Sequence, residues 1–231
     1  MIKRFKILIA ADSIAMPREE NKYENTWPYM LKEAFPDCDI IDRSSRGSTT
    51  ARLVNEGGGG VDLLERYNPH IVIIQMGMAE CAPRLFKKTG FEHFYLTRII
   101  PQSYRLKYVN FIKKRRIRSP EITDVSPDQF RSNITNYFDR AEKIGTRIIV
   151  VLMHGPNRIF FSKSPYIGKN IDLYNRIYKE TALNFSNVET IEPFEHDVDI
   201  DALTLDELHL NRQGALLIAS KLKGRIAELM I

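Results

Sequence analysis

An acid and a hydroxyl, Asp12 and Ser13, end the apolar run Ile7-Leu8-Ile9-Ala10-Ala11 near the start of this sequence. Near its end, in "LDELHLNRQGA", Asp206 stands three residues before His209. A serine hydroxyl becomes a nucleophile beside a base, and a histidine serves as that base when an acceptor on its other ring nitrogen fixes its tautomer and supports its positive form. Asp206 and His209, three apart on one turn, can point to the same side and supply both. Taken singly, each block has a plainer reading: Ser13 as a turn or cap residue, and Asp-x-x-His as a helix cap beside an exposed histidine.

What must position these residues is a sheet. Short Ile- and Val-rich runs at Lys6–Ala11, Asp39–Asp42, His70–Met76, Arg147–Met153 and Val188–Ile191 lack polar alternation, as parallel strands covered on both faces do. Helical patterns lie near 25–35, 50–66, 127–144, 170–185 and 211–230. In the last, Asn211 can cap, and Ala215, Ile218, Ala219, Leu222, Ile226 and Leu229 form one apolar stripe. The alternation predicts an α/β fold: a three-layer α/β/α sandwich with a five-stranded parallel sheet, flavodoxin-like in its winding. Ligands of such sheets bind beyond the carboxyl ends of the strands, which is where Asp12-Ser13, "DRSSRGSTT" (42–50) and "GMAECAPR" (77–84) fall.

The chain reads as one domain over 1–231, interrupted by an aromatic and basic insertion at about 84–126. That stretch is far longer than the ~2 to 6 residues usual for such a connection. It suits either a lid over the site or an interaction surface, including one between copies in a homo-oligomer. Within it "KKRRIR" (113–118) supplies five of the positive charges; a solvated helix face is its plain reading, and an acidic glycan its functional one. No groove-reading motif accompanies it, so no nucleic acid partner is expected. "GGGG" (57–60) is followed by no Gly-Lys-Ser/Thr and reads as a bend between helical pieces. Cys38 and Cys81 lack any CxxC spacing, and the histidines and carboxylates match no metal motif, so neither metal nor other cofactor is expected. The five apolar residues after Lys3, Arg4 and Lys6 are fewer than the roughly 7 to 15 of a signal peptide, and no run approaches the ~20 of a membrane span. A cytoplasmic protein with reduced thiols is expected.

The chain resembles the SGNH/GDSL hydrolase superfamily. Ala11-Asp12-Ser13 is similar to its Gly-Asp-Ser block with the glycine replaced, and Asp206-Glu207-Leu208-His209 matches its Asp-x-x-His block before the last helix. The resemblance implies the SGNH hydrolase fold, with Ser13 as nucleophile, His209 as general base and acid, and Asp206 as its orienting partner. It also implies an oxyanion hole from the Ser13 amide, a second-block glycine amide, met by Gly47, and a third-block asparagine. The third block reads Gly77-Met78-Ala79-Glu80, with alanine at the asparagine position. Arg84 or Asn157 could reach in as a substitute donor. Gly77 and Glu80 complete the candidate oxyanion and substrate-binding set, Glu80 either binding a substrate hydroxyl or pairing with Arg84. "GMAECAPR" also resembles a variant associated with bacterial surface-polysaccharide gene sets. The implied function is a serine esterase removing a short acyl group, acetyl foremost, from a carbohydrate or polysaccharide. An O-acyltransferase using the same triad and a non-catalytic glycan-binding relative are the alternatives.

Overall fold

The computed structural model describes residues 4–55, 60–87 and 90–230, with the Arg116 side chain left aside. Five strands, β1 (Lys6–Ala11), β2 (Asp39–Asp42), β3 (Ile71–Gln75), β4 (Arg147–Val151) and β5 (Val188–Ile191), form one all-parallel sheet in the order β2-β1-β3-β4-β5. All five strands fall where the apolar runs predict, with β3 and β4 a residue or two shorter at their ends. The central strands β1 and β3 bury nearly every residue, which is why their sequences do not alternate.

The helices are α1 (Trp27–Ala34), α2 (Ala51–Val54), α3 (Met78–Cys81), α4 (Phe91–Arg98), α5 (Gln102–Ile112), α6 (Arg115–Arg118), α7 (Pro127–Lys143), α8 (Arg158–Lys163), α9 (Ile167–Ala182), α10 (Ile200–Leu203) and α11 (Arg212–Leu229). α1 packs on α11, while α7 packs on both α2 and α9. Strand order explains the two groups. The chain steps outward from β1 to β2, then reverses over β1 to β3 and continues to β4 and β5. With right-handed crossovers, the first connection covers one face and the later ones the other. The reversal leaves a crevice between the carboxyl ends of β1 and β3, the usual ligand position in such sheets.

Two expectations change. Of the helix expected over 50–66, the described residues form α2 and a short 3-10 turn at Val61–Leu63. The bend expected at Gly57 to Gly60 lies largely outside the described residues. The helix expected from 170 begins at Ile167.

The 84–126 insertion contains α4, α5 and α6, joined where Glu92 accepts from the Tyr108 hydroxyl and pairs with Arg115 at 2.7 Å. Arg115 of the basic block is thereby engaged with a carboxylate. The stem is clamped to α3: Arg84 N donates to Ile122 O at 2.7 Å and Asp124 N to Glu80 O at 3.2 Å. Among the described residues, no helix is long and apolar enough to cross a membrane.

After β3 the chain turns sharply at Gly77, whose φ of +129° favours glycine, and a Cβ there would lie 2.7 Å from Met153 Sδ. Gly77→Ala is expected to cost roughly 1–3 kcal/mol through this backbone strain, since the methionine tip can move. Urea denaturation of the two proteins checks it; equal midpoints would show that the turn tolerates a side chain.

Candidate active site

The carboxyl end of β1 delivers Asp12 and Ser13 into the crevice. Asp12 N is tied to Gln75 O at 3.0 Å, and Asp12 Oδ1 accepts from Ile14 N at 2.9 Å, capping the 3-10 turn Ser13–Ala15 that aims the Ser13 hydroxyl outward. Asp12 is thus a positioning group within the interior, and burial pushes its carboxyl up to about 7.

The partner loop, 204–210, is held on several sides. Thr204 bridges to Leu210, and Leu205 N donates to His209 O at 2.7 Å. His154 Nε2 lies 3.0 Å from Leu208 O, and Asn21 Nδ2 donates to Leu210 O at 3.2 Å. Asn157 Nδ2 donates to Thr204 Oγ1 at 2.9 Å and to the Asp206 carbonyl. This scaffold brings His209 Nε2 to 3.0 Å from Ser13 Oγ, across 196 residues of sequence. On the other side of the ring, His209 Nδ1 lies 2.7 Å from Asp206 Oδ2. A proton on Nδ1 shared with the carboxylate leaves the Nε2 lone pair to two donors, the Ser13 hydroxyl and the Arg18 guanidinium.

Burial pulls the His209 pKa below its ordinary value; the Asp206 carboxylate opposes this, and the Arg18 and Arg46 charges reinforce it. Burial raises the Asp206 carboxyl, but hydrogen bonds from the Leu208 and His209 amides and from the His209 ring outweigh it and leave its pKa depressed. At neutral pH the pair is therefore a carboxylate and a neutral imidazole. Such an arrangement can take a proton from Ser13 and return it to a departing oxygen.

Beside Ser13 and His209 opens a cavity of about 200 Å³, lined also by Met78, Ala79, Ala82, Pro83, Phe160 and Leu208. The remaining candidates are placed less uniformly. Arg84 reaches the cavity wall, with its guanidinium committed to Asp124 at 2.7 Å and to Ala79 O at 2.6 Å. Glu80 is fully buried and does not line the cavity; its Oε1 accepts from Thr50 N at 2.8 Å and Thr50 Oγ1 at 2.6 Å. Both expected roles for it, substrate contact and Arg84 partner, give way to this interior bond. Asn157 is also buried, spending Oδ1 on the Phe160 amide at 2.9 Å and Nδ2 on the 204–206 loop, so it acts as a strut where a free donor was expected. Gly77 shapes the backbone behind the cavity and does not line it. Gly47, left-handed at φ +63°, is exposed on the neighbouring loop, which β1 holds through Ser45 N to Ala11 O at 3.0 Å.

Sequence reasoning missed Arg18, whose guanidinium contacts His209 Nε2. The only signal was its position five residues after Ser13, which carries no chemical signature.

A search of curated proteins finds no significant match to this chain. Among solved structures, a protein described as lipolytic and of the G-D-S-L family from Desulfitobacterium hafniense matches with a TM-score of 0.61 at 15% identity, over 95% of this chain and 98% of that one. An acetyl xylan esterase matches with a TM-score of 0.63 at 14% identity, over 96% of this chain and 100% of that one. A catalytic mutant of an acetylxylan esterase from Geobacillus stearothermophilus matches with a TM-score of 0.60 at 14% identity, over 96% and 94%. These likenesses establish the shared fold. The model of the GDSL-like lipase/acylhydrolase family matches residues 12–217, a span running from Asp12 past His209. This chain belongs to the GDSL-like lipase/acylhydrolase family and is an ester hydrolase of the SGNH type.

Proposed function

We propose that the protein removes a short acyl group, acetyl foremost, from a hydroxyl of a carbohydrate, with Ser13, His209 and Asp206 as the catalytic triad. The observation that carries this reading is the continuous relay from Ser13 Oγ through His209 to Asp206, at 3.0 and 2.7 Å, at the edge of a cavity of about 200 Å³. Ser13 Oγ attacks the ester carbonyl carbon as its proton passes to His209 Nε2. The oxyanion is held by the Ser13 and Gly47 amides, neither of which donates a backbone hydrogen bond among the described residues. His209 then protonates the departing sugar oxygen, leaving an acyl-serine. Water repeats the sequence: it attacks the acyl carbon, gives its proton to His209, and Ser13 regains that proton as the carboxylic acid leaves.

The apolar part of the small cavity, Met78, Ala79, Ala82, Pro83 and Phe160, beside the ionisable Asp12, Arg84 and Glu207, suits an acyl chain of few carbons. The acetylated-sugar class is supported by the names of the two xylan esterases that share the fold. With p-nitrophenyl esters, kcat/KM is expected to fall at least tenfold from acetate to octanoate. A rise with chain length would overturn the short-acyl reading.

A further inference from the structure

Beside His209, and outside the lining of the cavity, stand two arginines, Arg18 half-buried and Arg46 exposed. Arg18 contacts His209 Nε2 through its guanidinium, while its buried Nε has no partner. Among the described residues, the Arg46 guanidinium finds only Pro17 O, at 3.4 Å. Among the described residues, neither makes an ion pair with a carboxylate. The two carboxylates that act on Arg18 are otherwise bonded: Asp206 holds the His209 ring and two amides, and Asp12 caps Ile14 inside the protein. The two cations lie close enough to repel each other, and both also disfavour a proton on His209. Asp206 and Asp12 attract Arg18 without bonding to it, and a pair of like charges so placed beside the proton-transfer atom is a binding site for an anion from outside.

Geometry says which part of the substrate carries that anion. The acyl group takes the cavity, which neither arginine lines. His209 Nε2 must protonate the departing oxygen, so the alcohol portion sits at Nε2, beside Arg18. We propose that Arg18 and Arg46 bind a carboxylate or phosphate on the alcohol portion of the ester, making the protein selective for short acyl esters of anionic alcohols such as acidic sugars. This rests on the triad reading above and narrows its substrate class. An independent charge asymmetry agrees with it. The 84–126 insertion, whose first residue lines the cavity, holds eleven Lys and Arg against three Asp and Glu, whereas the whole chain is only +5. The rest of the chain is therefore net negative, and the positive potential is concentrated on the segment that begins at the site.

The test compares 3-acetoxybenzoate with its neutral methyl ester, and with 3-acetoxyphenyl phosphate to separate carboxylate from phosphate. The native protein should favour at least one anionic probe by tenfold or more in kcat/KM. Arg18→Ala should bring that ratio close to one, Arg46→Ala should reduce it severalfold, Arg18→Lys should keep part of it, and 1 M salt should compress it. A native ratio near one, or a ratio that survives Arg18→Ala, overturns the proposal. An equal loss on charged and neutral probes would place Arg18 at the oxyanion and overturn it too. Calorimetric binding of the products 3-hydroxybenzoate and 3-hydroxyphenyl phosphate, against neutral 3-hydroxybenzamide, to the Ser13→Ala protein provides a readout independent of turnover. Anion-selective binding that Arg18→Ala abolishes supports the arginine site even if the triad reading fails. Ser13-dependent turnover without any anion preference leaves the triad standing and removes the arginine site.

Discussion

Ser13→Ala is expected to lower kcat/KM for p-nitrophenyl acetate by about 10⁴ to 10⁶-fold while leaving the fold and its thermal transition unchanged. The side chain removed is half-buried at the crevice rim, and among the described residues His209 Nε2 is its one hydrogen-bond partner, so nothing structural hangs from it there. His209→Ala should cost about as much, and the double variant little more, because nucleophile and base act as one unit and the second removal finds nothing left to lose. Asp206→Asn should fall near 10⁴-fold, since an amide facing Nδ1 favours the tautomer that puts the proton on the wrong nitrogen. The acid limb of the native pH profile should lie below the ordinary histidine value of 6.5, because burial first, then Arg18 and Arg46, disfavour the imidazolium. Single-turnover kinetics across pH 4 to 9 check both points. A Ser13→Ala protein with native turnover would show that the relay does not perform the hydrolysis.

How much of this was legible before the structure depended on whether a residue's role is set by its neighbours in sequence or by distant elements. The strands were legible because burial on both faces leaves unbroken apolar runs; Ser13, Asp206 and His209 were nameable from their blocks, and they meet because distant residues such as His154, Asn21 and Asn157 hold the 204–210 loop against the end of β1. Glu80 and Asn157 were misread. Each sits beside the crevice in sequence, but its side chain is claimed by a partner tens of residues away: Thr50 for Glu80, and Thr204 for Asn157. Arg18 belongs to the same class, since its meeting with His209 spans 191 residues. Local pattern says where the backbone goes; long-range contacts decide where a polar side chain points.

Glu80 carries the largest expected effect on stability. Its fully buried carboxyl is pushed up to about 8, first by burial, then with further repulsion from Asp12 and Asp124, against the opposing hydrogen bonds from Thr50. In the unfolded chain it titrates near 4.5. Between those values the native state holds a proton that the unfolded state has lost, so stability falls as pH rises from about 4.5 through about 8 and is then level. Asp12, raised to about 7, adds a loss of the same sign over a lower window. At roughly 1.4 kcal/mol per pKa unit, the Glu80 contribution is on the order of 5 kcal/mol. Glu80→Gln keeps an oxygen for the two Thr50 donors and removes the titration. The variant should match the native protein within about 0.5 kcal/mol at pH 4.5 and exceed it by on the order of 5 kcal/mol at pH 8.5, as read from urea midpoints at each pH. Parallel curves for the two proteins across that range would mean that Glu80 is already ionised in the folded state. The burial that raises this pKa would then be offset by a cation close to α3. The interior carboxyl is thus a structural acid that the fold keeps protonated behind the site, unlike Asp206, whose hydrogen bonds hold its pKa down.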